Sequence, residues 1–227
     1  LSADDGRRIR AAYGAKLAMI DHHLAQILDV FDEQDLWKDT ALIICTDHGH
    51  YLGERDIFGK PAVPLYETMS NIPLLVAWPG VAPGARDALT TTVDLHATLC
   101  DLFGATVAHR THGRSVIPVL DGSATSVRDH ALMGIWGREV HVTDGHTKYA
   151  AAPVAENLPL SMWSNRWSTM PVHIKGFDEL PAPDQRAWLD TMPGSDVPVI
   201  RQPYAAGDRM PMWALGGASI DNHFLFD

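Results

Sequence analysis

The chain has 227 residues, 46% hydrophobic and 20% charged, which suits a globular fold with a sizeable core and excludes a disordered chain. Its 18 Lys and Arg against 28 Asp and Glu leave a formal net charge of -10, which argues against a broad grip on nucleic acid or an anionic membrane. Two cysteines, and apolar runs far shorter than the roughly 20 residues of a membrane helix, exclude a disulfide framework and a spanning helix.

From Asp5 to about Gln34 the apolar residues Ile9, Tyr13, Leu17, Ile20, Leu24, Ile27, Leu28 and Phe31 recur at spacings of three and four, which predicts one long amphipathic helix. A polar connection around Trp37 leads into Ala41 to Cys45, an uninterrupted apolar run of the kind found in strands covered on both faces. A second such run, Ile72 to Trp78, stops at Pro79-Gly80, and Thr92 to Phe103 reads as a helix ended by Gly104. Helix alternating with buried strand predicts an α/β layer with a parallel-rich sheet, over about residues 1–124.

After that the rhythm changes. Ala131 to Trp136 and Glu139 to Val142 read as strands, and Asp144-Gly145 is a two-residue hairpin signal leading to His146-Thr147-Lys148-Tyr149. Residues 125–227 are therefore expected to form a small antiparallel subdomain. Within it, residues 153–217 hold most of the prolines without periodicity of either kind, and are expected to form a long irregular excursion or lid. The chain opens at Leu1 and ends in what reads as a strand, so a piece cut from a longer protein is expected.

The chemistry lies in Thr46-Asp47-His48-Gly49-His50-Tyr51-Leu52-Gly53-Glu54-Arg55-Asp56-Ile57-Phe58-Gly59-Lys60. In open α/β sheets ligands bind beyond the carboxyl ends of strands, so Asp47 and His48 are placed to project into a site from a rigid support. A carboxylate beside an imidazole suits a divalent metal, Gly49 and Gly53 let backbone turn and approach a ligand, and Lys60 offers an ammonium to an anion. The same Asp-His-Gly also reads as a helix cap or turn, and spacing alone leaves both readings open.

Taken in order, Leu42-Ile43-Ile44-Cys45-Thr46-Asp47-His48-Gly49, Leu52-Gly53-Glu54, Gly59-Lys60, Tyr66-Glu67 and Ile72 to Gly80 resemble the C-terminal half of a type I sulfatase of the alkaline-phosphatase superfamily. Val93-Asp94-Leu95-His96-Ala97-Thr98-Leu99 is similar to that family's D-x-x-P-T-L helix, with His96-Ala97 in place of the proline step, and Gly113 to Leu120 with Gly122 is similar to its G-x-S-L-x-P-L-L-x-G segment.

The resemblance implies a partial alkaline-phosphatase/sulfatase-like α/β sandwich with a small antiparallel C-terminal subdomain. It also implies metal-assisted hydrolysis of a sulfate monoester, on a small molecule or a carbohydrate. Asp47 and His48 match two metal ligands and Lys60 the lysine that contacts the sulfate. The metal is expected to be calcium on family grounds, while the imidazole keeps manganese or zinc open.

The family's nucleophile is a formylglycine made in a C/S-x-P-x-R motif, which neither Cys45 nor Cys100 carries; both cysteines are expected in the core. Nucleophile and first aspartate pair are therefore expected upstream of this chain, which alone is expected to be inactive. Two alternatives stay open: a phosphonate or phosphate ester hydrolase of the same superfamily, and a non-catalytic metal-binding relative.

His50 and Arg55 are candidates for lining the pocket or orienting His48, as is Glu54. Arg138, His141 and His146 fall on or beside the predicted hairpin, where His141 could reach substrate but an exposed or edge histidine is expected. Trp163, Asn165, Arg166 and Trp167 form an aromatic and polar cluster open to either sugar stacking or packing, and Asp21-His22-His23 reads as a solvated helix face.

Overall fold

In the computed structural model the described residues are 1–60, 65–107, 109–135, 137–153, 160–164, 187–204 and 224–226. They fall into two compact units, one of the described residues 1–60 and 65–86, the other of the described residues from Asp87 onward.

The first unit opens with helix α1, Ala3–Glu33, started by a capping box: the Asp5 N–H donates to the Ser2 hydroxyl at 3.1 Å and the Ser2 N–H to the Asp5 carboxylate at 2.9 Å. The helix is the one its periodicity predicts, and Phe31 is buried. Leu17, Ile20 and Ile27 of the predicted stripe are instead about half exposed. After a 3-10 turn at Leu36–Lys38 come β1, Leu42–Cys45, a short hairpin of β2, Tyr51–Leu52, and β3, Phe58–Gly59, then α2, Glu67–Ser70, and β4, Leu74–Ala77.

Strands β1 and β4 pair antiparallel, Leu42 opposite Ala77 and Cys45 opposite Leu74. The parallel-rich sheet expected from the alternating rhythm has no parallel pair among the described strands. A parallel return needs a crossover, usually a helix, and between β1 and β4 lie only a hairpin, a 3-10 turn at Glu54–Asp56 and the four-residue α2. Cys45, expected in the core, is exposed, and Cys100 is half-buried. A run of apolar letters identifies a strand without saying how many neighbours cover it.

The second unit holds α3, Val93–Leu102, the short α4, Ile117–Leu120, and seven strands. Strands β5, Ala131–Gly134, β6, Val140–Thr143, β7, Lys148–Ala151, and β11, Phe224–Phe226, form an antiparallel sheet in the order β11-β7-β6-β5. The turn between β6 and β7 has four residues, because Thr143 pairs with Lys148. Its Asp144 carboxylate accepts the N–H groups of His146 and Thr147 at 2.9 and 2.7 Å, so an aspartate turn replaces the two-residue hairpin expected.

A second sheet, β8, Leu160–Ser164, β10, Pro198–Tyr204, and β9, Trp188–Thr191, lies where the sequence showed no periodicity. Pro198 and Pro203 inside β10 disguise it as loop.

Around α3, Asp94 is almost fully buried. It accepts the N–H groups of Thr91 and Arg114, both at 2.8 Å, and forms an ion pair with Arg128. Thr98 bridges its own helix and α4, donating to the Asp94 carbonyl at 2.7 Å and accepting from the Val116 N–H at 3.0 Å.

Candidate active site

Leaving β1, the chain turns through Thr46 to His50, and Asp47 and His48 stand at the strand's carboxyl end. The Asp47 carboxylate accepts the His48 N–H at 3.0 Å, and the His48 imidazole is anchored by its Nδ1, 2.8 Å from the Gly49 carbonyl. A carbonyl only accepts, so Nδ1 carries the proton and Nε2 presents a lone pair outward. That lone pair faces the Lys60 ammonium at 2.8 Å and stands 3.4 Å from Asp47 Oδ2. The three groups singled out in the sequence thus converge.

Two local features bring them together. The added Cβ of any other residue at Gly49 would stand 1.7 Å from the Thr68 carbonyl oxygen, so only glycine lets the loop seat against α2, where its N–H donates to the Met69 carbonyl at 3.0 Å. The close approach is to backbone of the same chain, where the sequence suggested a ligand. Gly53, at φ 121°, turns β2 back into β3, and its N–H donates to the Ile57 carbonyl at 2.9 Å. Lys60 therefore returns to His48 across the hairpin, which Arg10 of α1 holds by donating to the Leu52 carbonyl at 3.0 Å.

Asp47 is open to solvent, 81% exposed, while the His48 side chain is 32% exposed. Desolvation acts to raise the Asp47 carboxyl, but the electrostatic influence of His48, together with neighbouring backbone N–H groups and the Thr46 hydroxyl, holds it below its ordinary value. Asp47 is thus an anion over the whole physiological range.

Bonds from a divalent ion to carboxylate oxygen and imidazole nitrogen run to about 2.0–2.6 Å, so donors 3.4 Å apart can share one ion. A cationic ammonium already faces the imidazole lone pair. The donor set fits a metal as one part of its shell: among the described residues no three His, Cys, Asp or Glu side chains gather to hold one.

His50 does not join this group; its ring stacks on Tyr13 of α1 with centroids 5.4 Å apart. Glu54 turns inward to accept the Leu52 N–H at 2.6 Å, which holds its carboxyl below the usual range. Arg55 lies over the Tyr66 ring, 4.1 Å from the centroid. Beside them Tyr51 is fully buried, and burial pushes its phenol up. Tyr51 and Tyr66 are the residues that sequence reasoning passed over, although Tyr66 stood in the matched series.

Other candidates separate from the site. Asp21, His22 and His23 lie on the exposed face of α1, as expected. In the second unit His141, expected to be exposed, is fully buried beside Glu139 and Arg138. Glu139 stands 3.2 Å from the Arg138 guanidinium and 3.9 Å from His141. Trp163 of β8 flanks Arg201 of β10, while Asn165, Arg166 and Trp167 lie outside the described residues.

Residues 2–105 match the family model described as Sulfatase. Over 155 residues the chain is 30% identical to a choline-sulfatase of Rhizobium meliloti (strain 1021), covering 66% of this chain and 30% of the relative. Over 115 residues it is 36% identical to arylsulfatase K of Gallus gallus, covering 50% of this chain and 21% of the relative. Among solved structures it shares the fold of the phosphonate monoester hydrolase of Agrobacterium radiobacter, with a TM-score of 0.57 and 24% identity, covering 66% of this chain and 34% of that one. The chain spans about a third or less of the length of the relatives it matches.

Proposed function

We propose that the chain carries part of a domain of the sulfatase family, in the alkaline-phosphatase superfamily, and that the intact protein hydrolyses a sulfate monoester at the site built on Asp47, His48 and Lys60. The observation that carries this reading is the convergence of the Asp47 carboxylate, the His48 Nε2 lone pair and the Lys60 ammonium within 3.4 Å of His48 Nε2.

Asp47 and His48 would hold a divalent ion, calcium first and manganese or zinc next, which would supply Lewis-acid polarisation of the sulfate oxygens. The chain's own residues do the rest. Gly49 fixes the imidazole through Nδ1, so that Nε2 keeps its direction without reorganisation. In this structure Lys60 meets the His48 Nε2 lone pair; with that lone pair given to a metal ion, its three N–H donors would be free to meet oxygens whose charge grows as the ester bond breaks. Asp47, held ionised, keeps positive charge at the site. The attacking group, a formylglycine hydrate, comes from chain outside these residues.

The test is steady-state hydrolysis of 4-nitrophenyl sulfate and of a phosphonate monoester by the full-length protein, beside calorimetric titration with calcium and manganese. Lys60→Ala is expected to lose about 100-fold or more in kcat/KM, the scale of removing one preorganised donor to a developing oxyanion, and Asp47→Asn to weaken metal binding. The isolated 227-residue chain is expected to be inactive. Turnover by that chain above its Lys60→Ala variant, or wild-type metal affinity in Asp47→Asn, would overturn the assignment; preference for the phosphonate would replace sulfate as substrate.

A further inference from the structure

We propose that Arg55 is a second anion contact of this site, selecting sulfate esters that carry another negative group, such as a uronate on the sulfated sugar; the inference rests on the hydrolase reading above and names its substrate class. Among the described residues Arg55 and Lys60 make no salt bridge, as is true of Arg10 and Lys16 as well, but these two both ride the β2–β3 hairpin beside His48.

Arg55 is exposed and flanked in sequence by Glu54 and Asp56, yet it pairs with neither. Glu54 is turned away onto the Leu52 N–H, and the guanidinium carbon stands over the Tyr66 ring, 4.1 Å from its centroid. An exposed guanidinium held over a ring keeps N–H groups that can take a carboxylate or sulfate with two bonds.

The backbone that achieves this is strained. Arg55 sits at φ 55°, ψ 30°, and Asp56 follows at φ 59°, a left-handed pair in two residues that are not glycine. Such strain persists where surroundings over-determine it, and it gathers at functional sites. Here the turn is clamped by Gly53 donating to Ile57 and by the Ile57 N–H donating to Glu54.

The contact also reaches the metal-site residues through backbone. Tyr66 precedes α2, whose Met69 carbonyl takes the Gly49 N–H beside His48. Five residues of chain keep the Arg55 and Lys60 Cα atoms within about 17 Å, so one ester of roughly disaccharide size can meet both cations.

The experiment compares the full-length wild type with Arg55→Gln and Arg55→Lys on a uronate-containing disaccharide monosulfate and on its methyl ester, which differ in one charge. Arg55→Gln is expected to raise KM for the uronate form about tenfold or more with kcat unchanged, to leave KM for the methyl ester within about twofold, and Arg55→Lys is expected to fall between. Equal KM changes on both substrates, or none, would overturn the proposal, because a residue that only braces Tyr66 cannot distinguish a carboxylate from its ester. If the wild type hydrolyses neither substrate, its turnover of 4-nitrophenyl sulfate tells separately whether the hydrolase reading fails. Calorimetric binding of the same pair then decides: uronate preference lost in Arg55→Gln supports the contact, and equal binding refutes it.

Discussion

Replacing Gly49 by alanine tests the construction of the site at its tightest point. The new methyl carbon would stand 1.7 Å from the Thr68 carbonyl oxygen, 2.7 Å from its carbon and 3.0 Å from the Met69 Cα, all backbone atoms. Backbone cannot rotate aside as a side chain can, so the loop or α2 must move by more than an ångström. Overpacking of this kind costs about 1–3 kcal/mol. The shift also stretches the Gly49 N–H bond to the Met69 carbonyl, now 3.0 Å, adding about 0.5–1.5 kcal/mol. The sum, about 2–4 kcal/mol, is a large share of a typical folding stability and corresponds to a fall in Tm of about 5–15 °C for a chain of this size. Because the Gly49 carbonyl anchors His48 Nδ1, divalent-metal affinity is expected to drop in the same variant. Urea unfolding and calorimetric metal titration read the two effects. An unchanged urea midpoint with unchanged metal affinity would refute both the clash and its link to His48.

The remaining predictions concern the second unit. Glu139→Ala removes a carboxylate 3.2 Å from the buried Arg138 guanidinium and is expected to lower stability by at least about 1 kcal/mol, read by chemical denaturation. Burial raises the Glu139 carboxyl, but His141, the backbone N–H and Arg138 outweigh it and set it below its ordinary value. Its folded value is therefore depressed, so its contribution is full above the unfolded carboxyl value and is lost as pH falls through the folded one. The wild type is expected to lose stability below about pH 4.5, and a Glu139→Gln variant to show a shallower loss over that window; parallel pH profiles would remove the argument. Asp94→Ala strands the Thr91 and Arg114 N–H groups and Arg128 together, at an expected cost of about 3–5 kcal/mol, and a cost below about 1 kcal/mol in the same assay would contradict that role.

Asp47 and His48 were legible because they are adjacent at the end of an apolar run, where a strand delivers consecutive residues to one edge. Lys60 lies twelve residues on, and its return to His48 depends on Gly53 reversing the chain, so its role came from the ordered resemblance. The Arg55–Tyr66 contact was hidden because two left-handed residues in succession are what sequence rules assign to glycine or asparagine. For β6, alternation places Glu139 and His141 on one face and Val140 and Val142 on the other, but it does not say which face is covered. Hydrophobicity favours burying the valines; in the fold Val140 is half exposed and the polar pair is buried. The strands within 153–217 were lost to their own prolines.

The pairing of β11 with β7 has a topological consequence. Phe224 lies opposite Ala150, so the chain departs at the end of β7 and re-enters on the neighbouring strand some seventy residues later, having built the β8-β10-β9 sheet in between. Departure and re-entry side by side make the stretch an insertion whose length the four-stranded sheet barely registers. Closing a loop of about seventy residues instead of eight costs only about 2 kcal/mol in chain entropy. The sheet around β7 thus acts as a socket, and lengthening or trimming the inserted piece is expected to leave the register of the socket unchanged.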